Sequence, residues 1–309
     1  MTEKFVELEQ KATAFFNDGA YQQVLDLLTV AETQFPEELG FNYYLRICAA
    51  ARLEDVNQAC DLLAAALDHD LWFAETVLRE SPSLVPLNGH ERFEALVADS
   101  IAKMDSSATE PVVKTAVPDT PPPYPLLLAL HGNGSSVAAE FGYWQAAVSH
   151  GWCVVAPQSA TMMLSGRYYW TSTETAVAEI NNHLTRLKEL YPIDWHNVVV
   201  GGFSMGADVA LAIALSGALP ARRFLLVGPG GPNFHEPENM LPLITEANGR
   251  DIKGLILMSE DDPHIEPDKI RKIGELLHEG GNSCELVTYR GLSHEYPPDF
   301  NERLVAFLQ

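Results

Sequence analysis

The chain has 309 residues, enough at ordinary domain sizes for two domains with cores of their own. Hydrophobic residues make up 47% and charged residues 20%, a globular composition that excludes disorder over most of the length. Acidic side chains outnumber basic ones 42 to 20, for a formal charge of −22, with 21 against 8 in residues 1–123 and 21 against 12 in residues 124–309. Neither part hides a basic patch, so a nucleic-acid backbone or an anionic membrane surface would be repelled. Cys48, Cys60, Cys153 and Cys284 form no C-x-x-C pair, which leaves zinc without ligand spacing and predicts reduced thiols and no metal. No apolar run is long enough to span a bilayer, and the first residues alternate charged with apolar, unlike a signal-peptide core. The expectation is a soluble, cytoplasmic protein without membrane insertion.

Up to about Met104 the pattern is helical. Phe5, Leu8, Ala12, Phe15 and Phe16, then Val24, Leu27, Leu28, Ala31 and Phe35, recur three and four apart, giving each helix one buried stripe. Tyr21–Phe35 and Val56–Asp70 share Gln23/Gln58, Asp26/Asp61, Leu27/Leu62, Leu28/Leu63 and Ala31/Ala66. The offset is close to a helix-turn-helix repeat unit, and the segment resembles tetratricopeptide repeats. Such a domain offers either a peptide-binding surface or, as the favoured expectation, a face that packs on its neighbour or on a second copy of the chain. A homodimer or a protein partner through this domain is the corresponding expectation. Residues 81–98 read as a closing segment with Leu84, Leu87, Phe93 and Leu96 inward.

Residues 105–123, rich in Ser, Thr and Pro, read as a linker with a doubtful strand at Val112–Val117. The predicted domains are therefore 1–104, helical, and 124–309, catalytic. In the second, short apolar runs without alternation (Leu126–Leu130, Cys153–Ala156, Val198–Gly201, Phe224–Val227, Leu255–Met258, Leu286–Tyr289) predict strands buried on both faces. Helical stretches such as Thr175–Leu190 and Ile270–His278 separate them. The fold class is α/β, a doubly wound, mostly parallel sheet preceded by an all-α domain.

Gly202-Phe203-Ser204-Met205-Gly206 follows a predicted strand and opens an Ala/Leu-rich helix, Ala207–Leu215. A turn that sharp needs small residues at its flanks, exposes the Ser204 hydroxyl, and sets it at a helix N-terminus. His131-Gly132-Asn133-Gly134 ends the Leu126–Leu130 strand, and its small residues let backbone amides face the crevice. The amides of Asn133 and Met205 are the expected oxyanion donors. Among Glu260, Asp261 and Asp262, the acid after Leu255–Met258 is assigned to Asp262, since Pro263 fixes the turn after it; Asp261 is the reserve. His294, on the loop after the last strand, is the expected base, with His264 and His278 competing. The order Ser204, Asp262, His294 is that of nucleophile-elbow hydrolases.

The segments LLLALHGNGSS, VVAPQSA, Tyr169-Trp170, VVVGGFSMGADVALAIAL, LILMSEDDPHIEP and YRGLSHEYPP resemble the phospholipase/carboxylesterase branch of the α/β-hydrolase superfamily over about residues 124–309. That resemblance implies a Ser-His-Asp esterase or thioesterase acting on a small-molecule ester, with neither metal nor organic cofactor. The family's leading strands are reduced here to Val112–Val117, and a helical domain precedes the catalytic one. Phe141, Tyr143, Trp144, Tyr168, Tyr169, Trp170 and the loop Gly228–Pro232 are candidate crevice lining, with Tyr143, Tyr169, Trp170 and Pro229 the named substrate contacts; half of the aromatics are expected to pack the core instead. No lid insertion interrupts the strands, so short or medium acyl chains fit best. A peptidase of the same fold, or a partner-binding scaffold with a vestigial hydrolase domain, remain as rivals.

Overall fold

A computed structural model of the chain describes residues 3–107 and 112–309. They form two compact units, one of residues 3–107 with 162–167 and the other of residues 112–161 with 168–309.

The first unit is built on the helices α1 (Glu3–Asn17), α2 (Tyr21–Ala31), α3 (Leu39–Arg52), α4 (Val56–Asp68), α5 (Glu75–Glu80) and α6 (Glu91–Ser106). The recurring segments Tyr21–Phe35 and Val56–Asp70 contain α2 and α4. Gly19, at φ 75°, turns the chain out of α1 in a conformation a side chain would strain. Asp55 caps α4 by accepting Gln58 N–H at 2.9 Å. The alanines at 49 and 50 in α3 are fully buried, as are Leu28, Leu63 and Phe93 around them.

One piece of this unit comes from far along the chain. Strands β4 (Met162–Leu164) and β5 (Arg167–Tyr168) form a two-stranded hairpin. Ala74 N–H donates to Met163 O at 2.8 Å, Ser165 N–H donates to Trp72 O at 3.0 Å, and Leu164 is 3% exposed in the helical core. Arg167 pairs with Glu9 at 3.1 Å and Glu38 at 2.9 Å and lies over the Phe41 ring. Burial pushes the Glu9 carboxyl up, against the pull of Arg167. Arg167→Met is expected to leave both carboxylates unpaired and to cost about 2–4 kcal/mol, read as a lower thermal midpoint of the helical signal.

The second unit is a seven-stranded sheet in the order β1-β3-β2-β6-β7-β8-β9. Its strands are β1 (Val113–Ala116), β2 (Tyr124–Leu130), β3 (Cys153–Pro157), β6 (Ile193–Phe203), β7 (Arg223–Val227), β8 (Lys253–Ser259) and β9 (Ser283–Tyr289). All neighbours are parallel except β1, which runs antiparallel to β3. α6 continues to Ser106, and the strand expected at Val112–Val117 is found as Val113–Ala116, the edge of the sheet. Four ladder residues of β1 face Val154–Pro157, so backbone pairing, not side-chain burial, recruits it.

Alternate residues of the inner strands enter separate cores. Leu126, Leu128, Leu130, Val200, Leu226 and Ile256 meet α8 (Thr173–Leu190), α9 (Met205–Ser216), α11 (Leu241–Glu246) and α12 (Pro267–Glu279). Leu127, Ala129, Val199, Leu225 and Leu257 meet α7 (Val137–Trp144) and α13 (Phe300–Leu308); α10 (Pro232–His235) follows β7. Burial on both faces explains the unalternating runs, at roughly 1.5–3 kcal/mol for each large side chain removed from water. Every residue of α9 from Met205 to Leu215 is buried, hence its Ala/Leu composition. Among the described residues, no helix is long and apolar enough to cross a membrane.

Candidate active site

The chain leaves β2 for β3 on one side and then crosses to β6 on the other, so the carboxyl ends of β2 and β6 flank a switch point where α/β sheets bind ligands. Ser204 stands there, between β6 and α9, with φ 52° and ψ −121°. A non-glycine residue at positive φ stores strain on the order of 1–3 kcal/mol, held by the surroundings. Ser204 N–H donates to Val227 O at 3.0 Å, and Gly230 N–H donates to Ser204 O at 3.2 Å. The flanking glycines are required by close approach. A Cβ on Gly202 would lie 2.3 Å from the Gly206 carbonyl, and one on Gly206 2.4 Å from Leu130 O.

Asp262, three residues beyond β8, has a side chain 2% exposed and accepts His294 Nδ1–H at 2.7 Å through Oδ2. Its other oxygen accepts His264 N–H at 2.9 Å. Burial pushes this carboxyl up, but the hydrogen bond and charge of His294 outweigh it and hold Asp262 below the usual range. Asp261 points elsewhere: Oδ2 accepts Gly291 N–H at 2.6 Å and thereby shapes the loop that carries His294. His264 sets its ring edge-on to His294, with centroids 4.7 Å apart, and burial followed by the charge of His294 lowers its pKa. His278 is exposed in the last turn of α12.

Ser204 and His294 both lie against the Gly228–Gly230 segment. A Cβ on Gly230 would be 3.7 Å from Ser204 Oγ, and one on Gly228 3.6 Å from His294 Nδ1. The His294 ring also rests on Phe203, the residue before the serine, at 4.8 Å. Among the described residues, the hydroxyl and the imidazole make no direct hydrogen bond; such bonds are commonly long before substrate binds.

The loop after β2 is held from below. His131 is 2% exposed and stacks on Trp170 at 5.0 Å. Its Nε2 accepts Ser159 N–H at 3.1 Å and faces Gln158 Nε2 at 2.8 Å, so Nδ1 carries the proton and donates to Gly132 O at 2.8 Å. Burial pushes its pKa down to about 4, keeping it neutral. Trp170 N–H donates to Asn133 Oδ1 at 3.0 Å, and its indole N–H donates to His131 O at 2.9 Å. Trp170 is therefore packed support for this loop, being 2% exposed, and not crevice wall. Phe141 and Trp144 are likewise core, whereas Tyr143 is 47% exposed and stacks on Tyr296. Pro229 is buried in the loop beside Ser204, and Tyr168 and Tyr169 are half-buried, with Tyr169 O accepting from Ser159 Oγ. The Asn133 and Met205 amides meet no acceptor among the described residues, Met205 being the first amide of α9.

Buried carboxyls absent from the sequence reading also belong to this region. Asp208, one turn into α9, accepts Asn233 N–H at 3.0 Å and ties down the Gly228–Pro232 loop; burial lifts its pKa to about 6, against those hydrogen bonds. Glu140 accepts Gly132 N–H at 2.9 Å. The signal for both was a lone acid within an apolar helix. Cavities of about 550 and 560 Å³ open at the opposite end of the sheet, around Trp195, Leu219 and Pro220, and contain none of these groups. Among the described residues, no cluster of His, Cys, Asp and Glu is placed to hold a metal ion.

Comparison with known proteins now bears on this geometry. Residues 114–309 match the model of the phospholipase/carboxylesterase family. An uncharacterised protein from Bacillus cereus is similar in structure over 98% of this chain and 96% of its own, with 20% identity and a TM-score of 0.54. Esterase PE8 covers 65% of this chain and 98% of its own, at 20% identity and a TM-score of 0.55. An S-formylglutathione hydrolase from Agrobacterium tumefaciens covers 65% and 91%, at 16% identity and 0.51. At such identities the likeness is one of fold. No curated protein sequence matches the chain significantly. The family match takes in well over half of the chain, from β1 through the loops bearing Ser204, Asp262 and His294. The chain belongs to the phospholipase/carboxylesterase family of α/β-hydrolases.

Proposed function

We propose that the chain hydrolyses carboxylic esters or thioesters of short or medium acyl length through an acyl-enzyme on Ser204. The observation that carries this reading is the 2.7 Å hydrogen bond between Asp262 and His294, at the same sheet edge as a serine held on a strained elbow. Ser204 Oγ attacks the acyl carbonyl while His294 Nε2 takes its proton, and Asp262 holds the imidazole with Nδ1 protonated. The carbonyl oxygen, now negative, is received by the Asn133 and Met205 amides, the latter reinforced by the α9 dipole. Collapse expels the alcohol or thiol with the proton from His294. Water, deprotonated by His294, then attacks the acyl-enzyme and releases the acid and free Ser204.

Neutral acyl groups suit the half-buried Tyr168 and Tyr169 and the buried Pro229, side chains that carry no fixed charge. Treatment with a fluorophosphonate probe is expected to give a covalent adduct on the peptide containing Ser204, by peptide mass mapping. A labelled protein with the adduct elsewhere, or no adduct at all, would reject the assignment. A series of p-nitrophenyl esters and acyl thioesters of rising chain length then ranks the acyl groups.

A further inference from the structure

Beneath the loop after β2 lies a carboxyl that the reaction above leaves idle. Glu140, in α7, is 7% exposed. Its Oε1 accepts Gly132 N–H at 2.9 Å and its Oε2 accepts the Tyr296 hydroxyl proton at 3.0 Å. Tyr296 in turn accepts the Trp144 indole N–H at 3.1 Å, and its ring is stacked on Tyr143 at 3.9 Å and on Phe203 at 4.8 Å. One side chain thus joins the loop carrying Asn133 to the loop carrying His294.

The peptide planes around Gly132 give this bond its consequence. Gly132 packs against the nucleophile, since a Cβ on it would lie 3.2 Å from Ser204 Cβ. Its carbonyl is fixed by His131 Nδ1–H, and a planar trans peptide then aims Asn133 N–H the opposite way. Its own N–H is fixed by Glu140. Without that second anchor the His131–Gly132 peptide loses its tether, and the plane that carries Asn133 N–H is held by the His131 bond alone.

We propose that Glu140 is a positioning residue for ester hydrolysis, its carboxylate locking the Asn133 loop to the His294 loop. This rests on the acyl-enzyme reading. The titratable groups around it are Tyr143 on its own helix, His131 at the end of β2, and His294, Glu295 and Tyr296 on the loop after β9. His131 stays neutral, and Tyr296 is held well above its ordinary value by burial and by Glu140, so neither changes charge near neutrality. Burial lifts Glu140 itself to about 7, against hydrogen bonds from Ser135, Gly132 and Tyr296 and the charge of His294. The carboxylate therefore forms as pH rises through neutrality, and kcat rises with it. Stability moves the other way: a raised carboxyl pKa means stability is lost as pH climbs from the unfolded value toward the folded one.

The test is steady-state hydrolysis of p-nitrophenyl butyrate against pH, with thermal melts at each pH. Glu140→Gln is expected to lower kcat about tenfold above neutrality with KM little changed, less than the 100-fold or more lost with a whole oxyanion donor. It should flatten the part of the ascending limb near neutrality and melt no lower than the parent at alkaline pH, because a buried charge has gone. Tyr296→Phe should give a smaller loss, about threefold, and the double variant should be no worse than Glu140→Gln alone. Parental kcat and pH profile in Glu140→Gln would overturn the proposal, as would a kcat loss that tracks a lowered melting midpoint. Turnover retained by Ser204→Ala would instead fail the acyl-enzyme reading and take this proposal with it, so the two failures are told apart.

Discussion

Ser204→Ala is expected to lower kcat for p-nitrophenyl butyrate by a factor on the order of 10⁵ to 10⁶, to the background of a pocket with amides but no nucleophile. The effect is large because the remaining groups act only through the serine oxygen. His294 has no proton to remove, and the Asn133 and Met205 amides have no tetrahedral oxyanion to receive. The fold should be almost unchanged. Alanine at φ 52° bears the same backbone strain as serine, the elbow amide keeps its bond to Val227 O, and the hydroxyl contributes no intramolecular hydrogen bond among the described residues. A melting midpoint within a few degrees of the parent, with turnover gone, separates loss of the nucleophile from loss of structure. Turnover within tenfold of the parent would show that the hydrolysis runs through another group.

How far the site could be read beforehand depends on the range of the interactions. The elbow was legible because its constraint is local: Gly202 and Gly206 are spaced by a turn that leaves no room for a Cβ, and the strand and helix on either side have their own hydrophobic patterns. The inner strands were legible for the same reason, each carrying an unalternating apolar run, whereas Leu286–Tyr289, expected to be buried on both faces, lies in the half-buried edge strand β9. The choice between Asp261 and Asp262 was narrower. Adjacent acids on one loop differ only in which way their side chains point, and that is decided by the Gly291 amide for one and by His294 for the other. Trp170 was placed in the crevice because an aromatic beside a strand end serves a wall or a core equally well; its stacking on His131 is a contact 39 residues apart in sequence. The hairpin Met162–Tyr168 escaped because its strands are too short to carry a period, with only Ser165-Gly166 to mark the turn. Glu140 and Asp208 escaped because a single acid in an apolar helix looks like a face marker until its partners, Gly132 and Asn233, are known.

Asp262→Asn is expected to lower kcat about 10⁴-fold, while Asp261→Asn stays within about tenfold of the parent. The contrast follows from hydrogen-bond polarity. Asp262 accepts through both oxygens, from His264 N–H at 2.9 Å and from His294 Nδ1–H at 2.7 Å. Asparagine has only one acceptor. If its oxygen stays with His264 N–H, its amide presents a donor to His294 Nδ1, which must then accept, and the ring proton moves to Nε2. In the proposed reaction that nitrogen takes the Ser204 proton, and once protonated it cannot. Asp261, by contrast, accepts Gly291 N–H through one exposed oxygen, a bond that asparagine reproduces with its own carbonyl. Equal losses in the two variants would mean that the shape of the His294 loop, and not the orientation of its imidazole, is what the acids provide. A loss in Asp262→Asn that appears in KM with kcat intact would place the carboxylate in substrate binding. Paired measurement of kcat and KM for both variants on one ester, with fluorophosphonate labelling rates as a second reading of Ser204 reactivity, decides among these outcomes.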